Sequence, residues 1–397
     1  MSGAASSALL GFARGGNRGG AVYVDTVSLA LALGIVLLGL VMVTSASVSV
    51  ATQEAGTPFF YLGRQLLLTL IGGAFALAMF SIRSDLLERA SVALLAVAVV
   101  LLVLVLIPGV GHAVNGSRRW LRVSGVGFQV SELARMLLLI YIASYAVRRE
   151  QELRQSLTGL LKPLGLLMCA GALLLAEPDL GAATVLFATG FGVLFLAGAR
   201  LRYVVATAAL AAAGFSLLAM SSSYRMRRLT AFLDPWADPF NSGFQLTQSL
   251  IAIGRGQWFG VGLGESVQKL FYLPEAHTDF LFAVLAEELG LLGVALTLAL
   301  FLGLVWRSFH IARLAASTGL KFPAYLASGF GLWVGIQAFI NIGVNMGVLP
   351  TKGLTLPFMS YGRSSMIVAL AWLGLLLRVY HEASARQRGA ATVRSGP

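Results

Sequence analysis

The sequence has 397 residues, of which 57% are hydrophobic and only 12% are charged, with a formal net charge of +12. So little polar surface excludes a soluble globular domain, and repeated apolar runs of about 17–25 residues indicate a helical membrane protein. The single cysteine, Cys169, excludes a disulfide framework. Because the basic residues flank the apolar runs, the positive charge favours contact with membrane phosphates over nucleic acid.

Ten apolar runs predict ten transmembrane helices, and hence an all-α, polytopic integral membrane protein. The first run is too long for the hydrophobic part of a secretory signal, so it is interpreted as a retained span. The membrane domain is predicted over residues 27–380, with tails that lack regular structure at 1–26 and 381–397. The predicted spans are 27–48, 65–82, 90–107, 130–147, 163–178, 182–198, 203–220, 280–305, 324–346 and 362–379.

The distribution of Lys and Arg predicts that both termini are cytoplasmic. An even number of spans places the termini on one side, and that side then carries 17 of the 29 cations, which agrees with the excess of positive charge in cytoplasmic loops. The remaining cations cluster in a few outer segments. They indicate either an anionic ligand at the outer face or contact with ordinary anionic lipid headgroups. The outer cations are Arg64, Arg118, Arg119, Arg122, Arg135, Arg225, Arg227, Arg228, Arg255, Lys269, Lys352 and Arg363.

Two long segments are predicted on the outer side. Residues 109–129 combine glycine-rich turns with a basic and aromatic centre, SRRWLR. Residues 221–279 form a large extracytoplasmic loop between the seventh and eighth spans, in which the prolines of DPWADPF fix turns. The stretch FQLTQSLIAIG within this loop has apolar residues at helical spacing, which predicts a short amphipathic helix at the membrane surface.

The stretch YLPEAHTDFLFAVLAEELG, residues 272–290, places carboxylates at the mouth and in the body of an apolar helix. If the helix starts at Asp279, small residues line the face below it, so Asp279 is predicted to point into the bundle at its outer mouth. There it would serve either as a general base or as a helix N-cap. Glu275 lies in the preceding loop. Glu287 and Glu288 lie deeper, where a structural role in the bundle is favoured over catalysis.

A second acidic segment, AEPDLG, lies between the fifth and sixth spans. It places Glu177 and Asp179 near the outer cations, where they pair with Arg119 or Arg135, or simply form a polar hairpin. No zinc site is expected at His277, because the sequence around it offers no Cys or second His.

Residues 341–365 form the third polar segment near the outer surface. Asn341 and Asn345 share one helix face, and prolines then surround Lys352. Such irregular backbone is tolerated at the membrane margin only where it lines a cavity, so this segment is predicted to face a site.

Seven segments resemble the SEDS family, named for shape, elongation, division and sporulation. The matches extend from the first predicted span to the last, and DPWADPF together with PTKGLTLP is similar to the cell-division branch of the family. The matching segments are LVMVTSAS (40–47), VNGSRRWL (114–121), SELARM (131–136), AEPDLGAAT (176–184), YRMRRLTAFLDPWADPFNSGFQLTQSLIAIGRG (224–256), VQKLFYLPEAHTDFLFAVLAEELG (267–290) and PTKGLTLPFMSYG (350–362).

The resemblance implies a peptidoglycan glycosyltransferase that polymerises lipid II at the outer face of the bacterial inner membrane, at the division septum. Asp279 stands where the family has the catalytic Asp of its HTDF motif. Arg119 and Glu132 match the Arg of its RW motif and the acid of its SELAK-like motif. The implied chemistry is inverting transfer, in which Asp279 takes a proton from a sugar hydroxyl and cations stabilise the leaving pyrophosphate. The residues assigned to substrate binding are Arg119, Glu132, Arg135, Lys352, Arg363 and Arg64.

Four positions depart from the family pattern. Arg135 replaces the Lys of the SELAK-like motif and keeps its charge. Arg363 stands in place of a Gly in the usual SYGGSS, and Phe271 replaces a polar residue before YLPEAHTD. Val130 replaces the usual Pro before SELA. These departures leave the proposed base, Asp279, unchanged.

The resemblance also implies a partner, a class B penicillin-binding protein of the FtsI-type transpeptidase kind, together with other divisome proteins. No cofactor is expected apart from a divalent cation that would screen the pyrophosphate, and no ligand cluster in the sequence argues for one. Two other functions suit ten spans with intramembrane acids, namely a lipid II flippase and a non-catalytic scaffold that recruits the transpeptidase. The concentration of unexplained charge on the outer side favours polymerisation.

Overall fold

The computed structural model of the protein describes residues 22–114, 117–123, 126–220, 232–241 and 243–394. Three of the predicted outer cations, Arg225, Arg227 and Arg228, lie outside the described residues, as does most of the predicted N-terminal tail. Within the described residues the fold is helical, as predicted, with one small sheet.

Three long helices open the chain: α1 Thr26–Ala55, α2 Phe60–Ser81 and α3 Ser84–Leu106. The Asp25 carboxylate caps the first of them, because it accepts a hydrogen bond from the Ser28 amide at 2.9 Å. The same carboxylate forms an ion pair with Arg307 at 2.6 Å, which ties the start of the chain to a helix late in the sequence. Helix α1 ends at Gly56, whose φ of 68° is the left-handed conformation that glycine favours at a helix end.

Residues 111–129 form a three-stranded antiparallel sheet, which departs from the all-α prediction. Its strands are β1 Gly111–Val114, β2 Ser117–Val123 and β3 Val126–Gln129, and β2 is central. Val114 pairs with Ser117 across Asn115-Gly116, a dipeptide that is a strong hairpin signal. The prediction for residues 109–129 named only glycine-rich turns. It missed this signal, and it also missed the alternating sequence SRRWLRV, which favours a strand.

Five helices follow the sheet: α4 Val130–Arg148, the short α5 Glu150–Gln155, α6 Leu157–Ala176, α7 Leu180–Leu196 and α8 Leu201–Met220. The sheet and α7 meet at the start of α4, where the Ser131 hydroxyl donates to the Asp179 carboxylate at 3.1 Å. The first residues of α4 therefore lie beside the acidic turn between α6 and α7.

Four helices complete the described fold: α9 Phe244–Gly256, α10 Leu281–Ser317, α11 Lys321–Asn345 and α12 Arg363–Arg394. Helix α9 is the short helix predicted within the large loop. Helices α2 and α12 approach closely through small residues, since a methyl group on Gly374 would lie only 2.1 Å from the Ala76 carbonyl oxygen. Trp333 and Trp372 stack at 4.9 Å between α11 and α12 in the centre of the bundle.

Helix α10 includes residues 281–305 of the predicted span 280–305 and is long and apolar enough to cross a membrane, but it is broken at Gly290. Gly290 has φ 62° and ψ −161°, outside the helical region. Residues 257–262 enter the break, where the Val261 amide donates to the Glu287 carbonyl at 3.0 Å and the Leu291 amide donates to the Gln257 carbonyl at 2.9 Å. The loop thus satisfies the backbone groups that the break exposes, as irregular backbone at membrane depth requires.

The number of membrane spans is supported in part. Among the described residues, eight helices are long and apolar enough to cross a membrane, namely α1, α2, α3, α4, α6, α10, α11 and α12. Helix α7 is apolar but only 17 residues long, and α7 and α8 lie at the positions of the predicted sixth and seventh spans. The protein is therefore a multi-pass membrane protein.

The predicted C-terminal tail is helical as far as Arg394, because α12 continues well beyond residue 380. Glu382 accepts a hydrogen bond from the Ser84 amide at 3.0 Å and pairs with Arg378 at 2.7 Å. The Tyr23 amide donates to His381 Nδ1 at 3.1 Å. These contacts, with the Ala and Arg residues that favour helix, account for the regular structure.

Candidate active site

Asp279 lies at the entrance to α10 and is held through its backbone. The side-chain amides of Asn341 and Asn345 donate to the Asp279 carbonyl oxygen at 2.9 and 3.1 Å. Asn345 Oδ1 also accepts a hydrogen bond from the Ala283 amide at 3.1 Å, which satisfies one donor of the helix start. Phe280, not Asp279, occupies the N-cap position. Asp279 therefore directly precedes the N-cap position, and two asparagines of α11 hold its backbone.

The Asp279 side chain is half-buried and faces the loop between α11 and α12. A methyl group on Gly353 would lie 3.2 Å from Asp279 Oδ2, so the loop backbone passes directly against the carboxylate. The Asn341 side-chain amide also donates to the Leu354 carbonyl at 2.6 Å, which fixes the loop to the same asparagine that holds Asp279. The sequence predicted that this irregular segment faces a site, and it lies against the predicted base.

Lys352 adjoins Gly353 and brings a cation to the same loop. Its ammonium group donates to Thr184 Oγ1 at 3.2 Å, across to α7. Burial lowers the pKa of Lys352 below its ordinary value, because the charged ammonium group is less well hydrated there than in water. Thr184 is a residue of the site that the sequence did not single out, although it closes the AEPDLGAAT segment.

The Asp179 carboxylate contacts the sheet, α4 and α7, and it lies next to Arg119. Its carboxylate caps α7 by accepting from the Ala182 amide at 2.9 Å, and it also accepts from Gln129 Nε2 at 3.3 Å. Arg119, on the central strand, lies 3.7 Å from Asp179 and keeps a quarter of its side chain exposed. Of the two pairings that the sequence left open for Asp179, the one with Arg119 is therefore present.

Glu177 is the buried acid of the same turn. Neither of its carboxylate oxygens has a hydrogen-bond partner among the described residues, while its carbonyl oxygen accepts from the Ser117 hydroxyl at 2.8 Å. Burial raises the pKa of Glu177 to about 8, with a further increase from Asp179 and an opposing effect from Arg119. The carboxyl group of Glu177 is therefore mostly protonated at neutral pH.

Glu132 and Arg135 pair with each other inside the bundle. Both side chains are buried, and the guanidinium lies 5.8 Å from the centre of the Trp333 ring. The structure therefore separates Arg135 from Arg119, although the sequence grouped both among the outer cations.

Arg363 and Arg64 lie at the exposed edges of the site. The Arg363 guanidinium approaches the sheet, since a methyl group on Gly127 would lie 3.8 Å from its Nη1 atom. Arg64 lies over the Phe60 ring at 4.1 Å. Both side chains are exposed, so they remain accessible to an anionic ligand.

An aromatic group that the sequence did not predict lies beside the Asp279 loop. The Tyr61 ring lies 4.7 Å from the His277 ring and 5.0 Å from the Tyr361 ring. The Tyr361 amide donates to the His277 carbonyl at 3.0 Å, and burial lowers the pKa of His277. Glu275 accepts from Thr278 Oγ1 at 2.7 Å and is exposed. His277 is thus a half-buried residue of the loop that packs against two tyrosine rings.

Glu287 and Glu288 contact the large loop. Glu287 pairs with Arg255 at 3.1 Å and accepts from the Ser266 hydroxyl at 2.5 Å. Glu288 pairs with Lys269 at 3.2 Å and accepts from the Ser45 hydroxyl at 2.6 Å. Two of the cations predicted on the outer side, Arg255 and Lys269, therefore have carboxylate partners within the protein.

Comparisons with known proteins identify the family of the chain. The model of the Cell cycle protein family, which groups FtsW, RodA and SpoVE, matches residues 25–385. The chain belongs to this family. It is the SEDS family that the motifs of the sequence resemble.

The chain is similar to proteins named probable peptidoglycan glycosyltransferase FtsW. The relative from Thioalkalivibrio sulfidiphilus is 55% identical, over 94% of this chain and 90% of its own. The relative from Methylococcus capsulatus is 53% identical, over 92% of each chain. Both matches include the Asp279 loop and the sheet, since they extend over nearly the whole SEDS-family chain.

Two solved structures share the fold. A chain of a peptidoglycan synthase complex that coordinates polymerization and crosslinking has a TM-score of 0.75 at 31% identity, over 91% of this chain and 98% of that one. The rod shape determining protein RodA of Thermus thermophilus has a TM-score of 0.67 at 30% identity, over 90% and 97%. The arrangement of helices is therefore that of known SEDS proteins.

Proposed function

We propose that the protein is a peptidoglycan glycosyltransferase that polymerises lipid II at the outer face of the bacterial inner membrane during cell division. The observation that carries the proposal is the position of the Asp279 carboxylate against Gly353, one residue from Lys352. This geometry brings a carboxylate and the loop that carries a cation together at the mouth of the bundle. The names of the FtsW relatives support the same activity.

Asp279 acts as the general base in this proposal. The carboxylate would accept the proton of the sugar 4-hydroxyl as its oxygen attacks the anomeric carbon of the second lipid-linked sugar. Two asparagine amides hold the backbone of Asp279, which fixes the point from which its side chain extends. A base fixed in this way loses little freedom when the substrate binds.

The cations of the site would stabilise the leaving group. Transfer releases polyprenyl pyrophosphate, whose charge grows as the glycosidic bond to it breaks, so no general acid is required. Lys352 and Arg119 are partly exposed, and both contact the start of α7. Lys352 does so through Thr184, and Arg119 through Asp179. Arg363 and Arg64 would contact the phosphates from the exposed edges of the site. Glu132 would serve the site indirectly, by pairing with Arg135 within the bundle.

A divalent cation would enter this reaction with the substrate. No group of three or more His, Cys, Asp or Glu side chains that could hold a metal ion is found in the part of the chain that the structure describes. We therefore propose that such a cation, where it takes part, is carried by the pyrophosphate and not by a protein site.

The partner proposed for this chain is a class B penicillin-binding protein. The peptidoglycan synthase complex that shares the fold coordinates polymerization with crosslinking, which supports a transpeptidase beside this polymerase. We place both termini in the cytoplasm and the protein at the division septum, with the Asp279 loop on the outer side. The excess of Lys and Arg at the other ends of the helices supports this orientation.

Polymerisation can be separated from the two alternative functions with purified full-length protein in liposomes that contain fluorescent lipid II. We expect glycan strands to form, alone or after the transpeptidase is added. Movement of labelled lipid II to the other leaflet without glycan strands would instead identify a flippase. The absence of both products, with the transpeptidase bound, would leave the scaffold function.

A further inference from the structure

A cavity of about 420 Å³ lies at the end of the bundle opposite to the candidate active site. Helix α4 begins next to the Asp179 turn and ends at the cavity, so its 19 residues separate the two places by about 27 Å. This distance is close to the thickness of the hydrocarbon core, which places the cavity at the other membrane face. The cavity is lined by Tyr141, Tyr145, Arg148, Arg149 and Lys162.

A hydrogen bond between α4 and α6 holds the walls of the cavity together, and Pro163 frees the carbonyl group that accepts this bond. A proline inside α6 leaves the carbonyl four residues earlier, that of Gly159, without its helical donor. The Tyr145 hydroxyl donates to this carbonyl at 2.8 Å. Gly159 also packs closely, because a methyl group there would lie 2.3 Å from the Glu152 carbonyl oxygen. Helices α4, α5 and α6 are thereby held together around the cavity.

The charges of the cavity favour an anion. Glu152 lies 3.6 Å from Arg149 and pairs with Lys162, so it offsets part of the charge of these two cations. Arg148 forms no ion pair within the described parts of the chain, although Glu88 on α3 interacts with it electrostatically. Neither acid lines the cavity, whose charged lining side chains are all cations.

We propose that this cavity binds the phosphate group of an anionic phospholipid headgroup in the leaflet opposite to the active site. Arginine and lysine are the side chains that bind phosphate through charge-assisted hydrogen bonds, and tyrosines suit the membrane surface. Basic pockets between helices at this face are suited to anionic headgroups. A lipid is favoured over a soluble phosphate because Leu157 and Leu161, beside Lys162 on α6, are exposed and would contact its acyl chains.

The test compares lipid retention by full-length protein in detergent, measured by native mass spectrometry after addition of phosphatidylglycerol or phosphatidylcholine. We expect the wild-type protein to retain phosphatidylglycerol in preference to phosphatidylcholine. The double variant Arg148→Gln, Lys162→Gln should lose roughly tenfold or more of this binding, because it removes two of the three cations. Inorganic pyrophosphate, tested as a competitor, distinguishes a lipid from a soluble ligand.

The matched control is Arg83→Gln, Arg313→Gln, which removes two exposed cations from the same end of the bundle without changing the cavity lining. It should bind phosphatidylglycerol as the wild-type protein does. Equal binding by the cavity variant and the control would overturn the proposal. So would binding of pyrophosphate in the cavity without any preference for the anionic lipid. Because the readout is lipid binding, either outcome leaves the proposed polymerase activity untouched.

Discussion

Arg119 is a partly exposed cation that contacts the buried acidic turn between α6 and α7. Its guanidinium lies 3.7 Å from Asp179, and Asp179 in turn is held by a helix start and by two side chains of the sheet and α4. The arrangement fixes the direction of the guanidinium while a quarter of the side chain stays accessible. A fixed and accessible Arg is suited to bidentate contact with a phosphate.

Arg119→Ala should therefore reduce lipid II turnover by about tenfold to a hundredfold, the effect of losing a charge-assisted hydrogen bond. Polymerisation rate against lipid II concentration, together with melting temperature in detergent, measures the effect. Arg122→Ala is the matched control, because Arg122 is exposed on the same strand. Arg118 is a poorer control, since it donates to the Leu106 carbonyl at 3.3 Å. Unchanged turnover in a well-folded Arg119→Ala protein would exclude the phosphate role.

Glu177 should make stability depend on pH. The pKa of Glu177 is about 8 in the folded protein, against an ordinary value of 4.5. Between these values the folded protein keeps a proton that the unfolded chain releases, so stability falls as pH rises from about 5 to about 8. Glu177→Gln does not titrate, and its melting temperature should exceed that of the wild-type protein by more at pH 8 than at pH 5. A pH dependence identical in both proteins would contradict the raised pKa.

The break in α10 couples the large loop to the segment that carries Asp279. Residues 257–262 enter the break at Gly290, while Glu287 pairs with Arg255 of α9 and Glu288 pairs with Lys269 of the loop that follows. The half-helix Leu281–Leu289 therefore lies between Asp279 at one end and the docked loop at the other.

Two glycines of α9 provide a test of this docking. A methyl group on Gly256 would lie 1.8 Å from the Ala286 carbonyl oxygen, whereas nothing lies within 4 Å of one on Gly254. Gly256→Ala should lower the melting temperature and increase proteolysis of the loop, because α9 cannot keep its contact with α10. Gly254→Ala should leave the loop protected and raise helix stability by up to about 1 kcal/mol. Equal protection of the loop in both variants would show that the close contact is dispensable.

Apolar periodicity and length predicted the helices well, because the membrane requires long apolar segments whose backbone is satisfied internally. The large loop with its short helix, and the irregular segment at Lys352, were also predicted from prolines and amphipathic spacing. The break at Gly290 could not be predicted, since it depends on residues 257–262 that are distant in sequence. For the same reason the sequence did not indicate that Asn345 would accept a hydrogen bond from the Ala283 amide at the helix start.

The molecule as a whole carries different chemistry at its two ends. At one end, the Asp279 carboxylate and several cations lie at the loops between the helices, where a substrate with a sugar head and a lipid tail would enter from the membrane. At the other end, a basic cavity between α4 and α6 would contact phospholipid headgroups. The position of the candidate active site at one end agrees with a polymerase, whose substrate is consumed at one membrane face, whereas a flippase would require polar groups along the entire path.

Polymerisation of lipid II by purified Asp279→Asn protein tests the central claim most directly, because the substitution keeps size and removes the base. Asp234→Asn, the same change at an exposed position in the large loop, is the control. We expect lipid II binding to be retained, glycan synthesis to fall by about a hundredfold to ten-thousandfold, and the control to polymerise normally. Glycan strands made at nearly the wild-type rate by a well-folded Asp279→Asn protein would contradict the assignment of Asp279 as the base.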